Sequence, residues 1–424
     1  MHGSSTGSSR PTLVIKCGGR SVSTPRRMRK IAAAVVKHAK DHAVVVVVSA
    51  MGKTTDKLIR LAEQVHSGAS QAEKEAVAAP GEDIAAQALA LAIKAEGGQV
   101  RALNTHQFQP LAYEDGRLRG RLHQIRGAEL IQRRLAQGEI VVVPGYKGVT
   151  DEGEIVTLGR GASDLLASAL AVTLKAILAR YWKDVPGLYP VNPKWVTGAW
   201  TYDRLTYAEA RELAAEGVLM ERCIDVAESH LVPLLVELAP SISGRRTGGT
   251  WIGPASQIDE LEPLPSDFVA LTTQEDCALV EVAGVPNRRG WAARVFEAVE
   301  GIVLGNVVQG PGRRRATIAF TVANEDLSMA LMLTRKRLKR VRGATVHGRT
   351  GFAGITLTDR KMRKGRGYMK RISRAVRDGG ANIELISAPA EKIYVTVVAR
   401  HLRRAAQATA VEFGMVGKSR RKAA

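Results

Sequence analysis

The sequence is short of cysteine and contains no long apolar run. Its three cysteines, Cys17, Cys223 and Cys277, are too scattered for a disulfide framework or a metal site, so we expect reduced, structural thiols. The longest apolar run, residues 43–48, falls far below the about 20 residues of a membrane span, so we expect no membrane-spanning helix. The first ten residues lack a hydrophobic signal segment. They are expected to form a flexible tail on a cytoplasmic protein.

Acidic and aromatic residues are also scarce. The chain has 62 lysines and arginines but only 41 acidic residues, which gives a net charge of +21. This charge predicts nonspecific attraction of polyanions and suggests nucleic-acid binding as a hypothesis. Only 4% of residues are aromatic, which leaves few stacking platforms for single strands. The densest basic run, residues 334–343, continues a helix whose apolar face repeats at Leu327, Leu331, Leu338 and Val341. Its charges should form the solvated side of that helix, so we expect no specific nucleic-acid binding.

The first part of the chain has the pattern of an α/β domain. Between residues 11 and 251, short apolar strands alternate with alanine-rich helices. This pattern predicts a mostly parallel sheet that is buried on both faces. A segment rich in glycine, serine and proline follows, and we interpret residues 252–267 as a linker.

A weak internal repeat with a spacing of about 75 residues follows the linker. The first copy covers residues 268–345 and the second covers residues 346–424. Each reads as strand, loop, helix, strand, strand and helix. Paired small βαββαβ units of this kind usually bind small ligands or each other through sheet edges, and they suggest regulation.

Residues 145–164 combine glycines, one arginine and several carboxylates between two apolar segments. This composition predicts a hairpin followed by a loop. Two glycines flank Arg160 in that loop, so its main chain could approach a ligand closely. Ser163 and Asp164 are expected to cap the apolar helix that follows, whose N-terminal amides favour an anion. A capped surface turn without function is the alternative.

Two further loops follow apolar strands. Lys16 ends a strand and precedes Gly18 and Gly19, so glycine amides and an ammonium group could bind phosphate together. The next strand ends at the polar loop 49–52, and two such loops on adjacent strands form a crevice. Glu82 lies at the start of a long alanine-rich helix. It could belong to the site, or it could only stabilise the positive end of the helix dipole.

A third loop, residues 182–194, follows another apolar strand. Its Asp184 and Tyr189 could frame a nucleotide, and a proline-rich surface loop is the alternative. The sequence has no nucleophile with an adjacent base and no Walker A glycine loop. Covalent catalysis and that phosphate-binding fold are therefore disfavoured.

Taken in order, these segments resemble the aspartate kinases of the amino acid kinase family. The resemblance rests on KCGGRSV, VVSAMGKTTDKL, PGED, GYKGVTDEGEIVTLGRGASD and KDVPGLYPVNPK. The paired repeats resemble the tandem ACT domains of that family. The resemblance implies an amino-acid-kinase-type three-layer αβα domain with a mostly parallel central sheet, followed by two ferredoxin-like ACT domains.

The resemblance also implies a reaction. The γ-phosphoryl group of ATP would pass to the side-chain carboxylate of L-aspartate and give 4-phospho-L-aspartate, the first step of lysine, threonine and methionine biosynthesis. Mg²⁺ would be the cofactor, with no direct protein ligand. Because two anions must meet, catalysis would consist mainly of positioning and charge neutralisation.

Residue roles follow from the resemblance. Lys16 would bridge phosphoryl and carboxylate oxygens, and Asp164 would orient Lys16 and the metal. Glu82 would hold the substrate ammonium group and Arg160 its carboxylate, with hydrogen bonds added by Ser49 and Ser163. The residues implied along the nucleotide are Lys16, Gly18, Gly19, Lys183, Asp184, Tyr189 and Lys194.

The sequence departs from the family at several of these places. Arg20 stands where the family has a threonine, and this cation could hold an extra anion or block the crevice. Lys183, Pro186 and Asn192 replace a threonine and two aspartates, and a shorter segment at 216–227 removes a lysine near ATP. A catalytically impaired amino-acid sensor or scaffold is therefore an alternative, as is a kinase for another carboxylate substrate.

The resemblance implies regulation by lysine, threonine or both at interfaces between the ACT domains. The candidate effector-binding residues are Asn287, Gly290, Ala292 and Gln309. Asn287 replaces the aspartate that is usual there. A homodimer or higher oligomer is expected, since an isolated ACT pair leaves sheet edges open to pairing.

Overall fold

A computed structural model describes most of the chain. The described residues are 10–114, 120–159, 161–243, 248–254, 268–310, 312–363 and 365–417. Arg160, nearly all of the predicted tail (1–10) and most of the predicted linker (252–267) lie outside them.

The described residues form two compact units. The first runs to Leu188 and resumes at Thr201, and the second combines residues 189–200 with the part of the chain from 268 onward. The segment 189–200 therefore joins the second unit, although it lies inside the predicted domain 11–251. The predicted domain boundaries stay predictions.

The first unit alternates strands and helices. Its strands are β1 (Thr12–Cys17), β2 (Ala43–Val48), β3 (Val100–Ala102), β4 (Pro110–Glu114), β5 (Gly120–Ile125), β6 (Ile140–Pro144), β7 (Lys147–Val149), β8 (Ile155–Thr157), β9 (Leu178–Lys183), β10 (Arg204–Thr206), β11 (Leu234–Leu238) and β12 (Thr250–Gly253). Its helices are α1 (Pro25–His38), α2 (Thr54–Val65), α3 (Gln71–Ala78), α4 (Pro80–Ala95), α5 (Thr105–Phe108), α6 (Ala128–Ala136), α7 (Ala162–Thr173), α8 (Tyr207–Glu212) and α9 (Glu221–Ser229).

An eight-stranded sheet in the order β10-β12-β11-β9-β1-β2-β6-β3 forms the centre of this unit. All its neighbouring strands are parallel except the pair β11 and β12. The predicted mostly parallel sheet is thus confirmed. Because β9, β1, β2 and β6 are adjacent and parallel, their carboxyl ends meet at one edge, where ligands bind in folds of this class.

The sheet is buried on both faces, as its continuous apolar strands predict. Helices α1 and α4 pack on one face against alternate residues such as Ile15 and Val46. Val14 and Val45 point the other way and are also fully buried, and α7 lies against β1, β2 and β9. This arrangement is the predicted three-layer αβα domain.

The glycine-rich segment forms the predicted hairpin. Strands β7 and β8 are antiparallel, with Lys147 opposite Thr157. They belong to a four-stranded sheet in the order β5-β4-β7-β8. The hairpin leads directly into the loop before α7.

One stretch has the length and composition of a membrane span. Among the described residues, only Glu73–Ala95 meets both criteria, and half of its most apolar window is buried within the fold. This does not contradict the expectation of no membrane-spanning helix, because core helices can meet the same two criteria. The stretch covers most of α3 and all of α4, whose residues Ala85, Leu89 and Ile93 pack in the core beside the sheet.

The second unit contains two copies of one pattern. Repeat 1 comprises β13 (Val269–Pro286), α10 (Trp291–Ala298), β14 (Val307–Gly310), β15 (Arg315–Ala323) and α11 (Leu327–Leu338). Repeat 2 comprises β16 (Thr345–Asp359), α12 (Tyr368–Asp378), β17 (Leu385–Ser387), β18 (Lys392–Val398) and α13 (Leu402–Glu412). The predicted sequence of elements is confirmed in both.

The six strands form one antiparallel sheet with the symmetric order β14-β15-β13-β16-β18-β17. Its two long central strands each serve both repeats. Residues 277–283 of β13 pair with residues 345–352 of β16, whereas residues 269–274 pair with residues 354–359. Residues 345–352 of β16 thus supply the last strand of the βαββαβ pattern in repeat 1. Residues 269–274 of β13 supply the corresponding strand in repeat 2.

Candidate active site

The site lies at the carboxyl edge of the central sheet. Lys16 is the penultimate residue of β1, Ser49 directly follows β2, and Lys183 ends β9. Because these strands are adjacent and parallel, residues distant in sequence converge there.

Asp164, in the first turn of α7, binds two ammonium groups. Lys16 Nζ lies 2.7 Å from Asp164 Oδ1, and Lys183 Nζ lies 2.9 Å from Oδ1 and 2.7 Å from Oδ2. The three side chains are only 7%, 6% and 12% exposed for Lys16, Asp164 and Lys183. Two buried cations with one anion leave an excess positive charge, which favours an incoming anion.

The pKa values reflect this cluster. Burial favours the neutral form of Asp164, but the charges of Lys16 and Lys183 outweigh it and lower the pKa of this carboxyl group. For Lys16, burial alone would lower the pKa, yet attraction to Asp164 and Glu82 raises it. Burial and the charge of Lys16 lower the pKa of Lys183, despite its bond to Asp164.

Glu82 lies in the first turn of α4 and is 6% exposed. Its Oε2 accepts a hydrogen bond of 2.6 Å from the Gly145 amide. Burial raises the pKa of Glu82 to about 7, although the Gly145 amide and the charge of Lys16 act in the opposite direction. A buried carboxylate with this pKa gains from a second cationic partner, such as an amino-acid ammonium group.

Gly145 allows close packing between the end of β6 and the start of α7. A Cβ atom at this position would lie 2.3 Å from Ser163 Cβ, which no side chain can tolerate. Ser163 Oγ in turn forms a hydrogen bond of 2.8 Å with Ser49 Oγ. The two predicted substrate-binding serines therefore lie side by side.

The prediction that Ser163 and Asp164 cap α7 is wrong. The helix begins at Ala162, and its N-cap residue is Gly161, whose φ of 82° suits glycine. Ser163 and Asp164 are the second and third helical residues. Their side chains point to Ser49 and to the two lysines instead of the helix amides.

The glycine turn after β1 is engaged by neighbouring backbone. The Gly18 amide donates to Trp182 O at 3.1 Å, so its predicted contact with phosphate conflicts with this bond. Gly19 O accepts from the Gly52 amide at 2.9 Å, which ties together the loops after β1 and β2. A nucleotide contact from the Gly19 amide stays a prediction.

Arg20 is exposed and paired with Asp184. Its side chain is 79% exposed and Nη1 lies 2.5 Å from Asp184 Oδ2. This exposed position argues against a blocked crevice, and the alternative that Arg20 holds an extra anion stays a prediction. A nucleotide contact from Asp184 stays a prediction, with Arg20 as the present partner of its carboxylate.

Comparison with known proteins agrees with this geometry. The sequence profile of the amino acid kinase family matches residues 11–236. The chain is 31% identical to the aspartokinase of Geobacillus stearothermophilus over 409 residues, which cover 95% of this chain and 97% of the relative. It is also 31% identical to the aspartokinase of Mycobacterium tuberculosis, with 96% of both chains covered.

The chain belongs to the amino acid kinase family and, within it, to the aspartokinases. Among solved structures, E. coli aspartokinase III in complex with aspartate and ADP matches with a TM-score of 0.74 and 21% identity. That match covers 95% of this chain and 99% of the E. coli chain and establishes a common fold.

Two of the nucleotide-binding residues implied by the aspartokinase pattern lie in the second unit. There Lys194 Nζ contacts Glu275 Oε1 at 2.8 Å and lies 4.7 Å from the centre of the Trp195 ring. Tyr189 belongs to the same unit. Their contact with a nucleotide stays a prediction for this aspartokinase.

One of the residues that differ from the aspartokinase pattern, Asn192, stabilises its own loop. Asn192 Oδ1 accepts a hydrogen bond of 2.9 Å from the Lys194 amide and so stabilises its own turn.

The implied effector residues Asn287, Gly290 and Ala292 lie at or just before the start of α10, and Gln309 lies on the edge strand β14. Their role stays a prediction.

The contact that sequence reasoning missed is the one between Lys183 and Asp164. The resemblance implies that Lys183 binds the nucleotide. It stands where other aspartokinases have a threonine. The signal that finds this contact is the strand register, which requires knowing that β9 lies beside β1. Because Lys16 pairs with Tyr181 across β1 and β9, a lysine two residues beyond Tyr181 emerges on the same face of the sheet.

Proposed function

We propose that the chain phosphorylates the side-chain carboxylate of L-aspartate with ATP and gives 4-phospho-L-aspartate and ADP. The observation that carries this proposal is the buried cluster of Lys16, Lys183 and Asp164 beside Glu82. Such a site can hold an anion at the lysines and an ammonium group at the glutamate. The aspartokinase relatives over the full chain support the same substrate.

In the proposed reaction, a side-chain oxygen of aspartate attacks the γ-phosphorus of ATP. The bond between that phosphorus and the β,γ-bridging oxygen breaks, and its electron pair leaves with ADP. Both reactants are anions, so the protein must neutralise and align them. Lys16 and Lys183 supply two ammonium groups at the point where the charges meet.

Lys183 has a particular place in this proposal. The shorter segment at 216–227 lacks the lysine that the family carries near ATP, and Lys183 is itself a departure from the family. Its ammonium group lies on the same carboxylate as that of Lys16. We infer that Lys183 supplies the second cation of the site from the end of β9.

Substrate recognition follows from the remaining residues. Glu82 would bind the ammonium group of aspartate, with its carboxylate oriented by the Gly145 amide. The paired hydroxyls of Ser49 and Ser163, one of which donates to the other, would add hydrogen bonds to the substrate. The proposed contact of Arg160 with the substrate carboxylate rests on the sequence motif.

ATP would enter with Mg²⁺. Mg²⁺ usually binds one or two carboxylates together with substrate phosphates. Asp164 already binds both lysines, so it would orient the ion without coordinating it directly, and the ion would keep its own water ligands. When bound, the ion would neutralise charge on the phosphates.

Repeats 1 and 2 would regulate the activity. The implied effectors are lysine and threonine, bound near Asn287, Gly290, Ala292 and Gln309. A solved structure of E. coli aspartokinase III contains lysine and aspartate, and it shares the fold of this chain with a TM-score of 0.67. Dimerisation through the open edges at β14 and β17 is part of the proposal.

Trapping of the acyl phosphate tests the proposed reaction. The full chain is incubated with Mg-ATP, L-aspartate and hydroxylamine, and the hydroxamate is measured. We expect an aspartate-dependent product that is absent with L-glutamate and absent from Lys16→Met. No aspartate-dependent product at high protein concentration would refute the kinase activity. Amino-acid binding by calorimetry without turnover would then favour the sensor alternative.

A further inference from the structure

Repeat 1 contains a pocket of about 450 Å³ that the proposed catalytic reaction does not use. It lies among the loop after β13, the turn before β15 and the segment after α11. Five arginines are among the residues that line it, together with one tryptophan and two aliphatic residues: Arg288, Arg314, Arg315, Arg340, Arg342, Trp291, Pro286 and Val341.

The pocket is strongly cationic and lacks internal compensation. No carboxylate is among its lining residues. Arg315 is fixed by two bonds from Nη1, to Gly284 O at 2.7 Å and to Arg342 O at 2.6 Å. In the part of the chain that the structure describes, the other four arginines form no ion pair. These arginines are exposed, so water and salt screen their mutual repulsion, and a bound anion would reduce it further.

A pocket lined by several arginines favours ligands with phosphate groups. The guanidinium group is a planar fork that binds phosphate oxygens through two parallel hydrogen bonds and stays charged at any physiological pH. Arg294, whose Cζ lies 4.8 Å from the centre of the Trp291 ring, adds a further positive charge beside the pocket. Its volume falls within the about 300–1,000 Å³ of small-molecule sites.

We propose that this pocket binds a small molecule with two or more phosphate groups. Lysine is an unsuitable occupant, because its side-chain ammonium group would enter a pocket with five arginines and no carboxylate in its lining. The pocket also gives the basic run 334–343 a specific use. Its residues Arg340 and Arg342 line the pocket, whereas the sequence pattern alone indicated only a solvated helix side.

Calorimetric titration of the full chain tests this site with two probes, inorganic pyrophosphate and ADP. The informative variant is Arg314→Gln/Arg340→Gln. A matched control, Arg374→Gln/Arg403→Gln, removes two exposed charges from repeat 2, outside the pocket. Because the kinase site is unchanged in both variants, phosphate binding there is common to all three proteins.

We expect the unmodified chain and the control to bind one more equivalent of pyrophosphate than the pocket variant, or to bind it at least about tenfold more tightly at that site. Basal kinase activity should be equal in all three proteins. Tighter binding of ADP than of pyrophosphate would identify a nucleotide as the source of the phosphates, and equal binding would identify a polyphosphate without a required base.

Three results would overturn the proposal. Identical titrations for all three proteins would mean that the pocket binds neither probe. An equal loss in the control would indicate nonspecific attraction by the net charge. Lysine or a single-stranded oligonucleotide that binds more tightly than both probes, with binding lost in the pocket variant, would assign the surface to that ligand instead.

Discussion

Lys183 places its ammonium group 2.7 Å from Asp164 Oδ2, on the carboxylate that Lys16 binds through Oδ1. One counterion thus holds two cations whose strands lie side by side. Asp164 reduces their repulsion and fixes their positions before substrate arrives. Such preorganisation is the main contribution a protein can make to phosphoryl transfer.

Lys183→Met should lower kcat about a hundredfold or more, because one of the two proposed cations at the transferred phosphoryl group disappears. Asp164 retains Lys16, so the fold should persist. Steady-state kinetics with Mg-ATP and aspartate measure this effect. Lys30→Met, which removes an exposed charge from α1, is the control. Unchanged kcat in Lys183→Met would contradict a role for the second cation.

Asp164→Asn should abolish activity and lower the free energy of unfolding by about 3–5 kcal/mol, since two buried ammonium groups lose their counterion. The pKa of Asp164 is lowered in the folded state, so its stabilisation is present at neutral pH and is lost as the pH falls below its ordinary pKa. Denaturant titrations should therefore converge for the variant and the unmodified chain in acid. Asp184→Asn, at the exposed pair with Arg20, should cost less than about 1 kcal/mol.

Glu82→Gln should raise KM for aspartate and also stabilise the fold at neutral pH. The pKa of Glu82 is raised to about 7, above its ordinary value of 4.5, so the unmodified chain loses stability as the pH rises through that window. The glutamine variant should lack this loss, a difference of about 3 kcal/mol at pH 8. Thermal unfolding at pH 5 and pH 8 measures it. Parallel pH dependence in both proteins would mean that Glu82 does not titrate there.

Gly145→Ala should reduce activity and stability together. The added Cβ atom would meet Ser163, and the displaced backbone would lose the amide bond to Glu82. Overpacking of this kind typically costs about 1–3 kcal/mol. Gly301→Ala is a suitable control, since a Cβ atom there meets nothing within 4 Å. Equal melting temperatures and kinetics for the two variants would refute the steric argument.

Arg20→Thr restores the family's residue and should change kcat/KM by less than about threefold. The side chain is exposed and pairs with Asp184 at the surface, where such pairs contribute little. A large gain in activity would mean that the arginine obstructs substrate after all. Kinetics at low and high salt separate that outcome from simple charge screening.

The sequence predicted the parts of the molecule that depend on local pattern. The continuous apolar strands β1, β2 and β6 indicated a sheet buried on both faces, and the alternation of elements in the repeats was read correctly. Lys16 is indicated by its place at a strand end before two glycines, whereas the role of Asp164 beside it is implied only by the resemblance to the aspartate kinases.

The rest depended on contacts that local pattern does not encode. Gly161 forms the N-cap of α7, which frees Asp164 for the lysines, and nothing in the sequence nearby distinguishes that outcome from capping. Lys183 reaches Asp164 only because β9 lies beside β1. Likewise, residues 189–200 pack in the second unit through Val191 and Val196, although their sequence reads as a continuation of the first.

The exchange of strand segments between β13 and β16 limits how the chain can be divided. A cut near residue 345 would leave repeat 1 without the strand at 345–352 and repeat 2 without the strand at 269–274. Each fragment would then expose an unpaired edge along its apolar core and tend to aggregate. The two repeats should therefore melt as one cooperative block, and a ligand that stabilises one should protect the backbone amides of the other from hydrogen exchange.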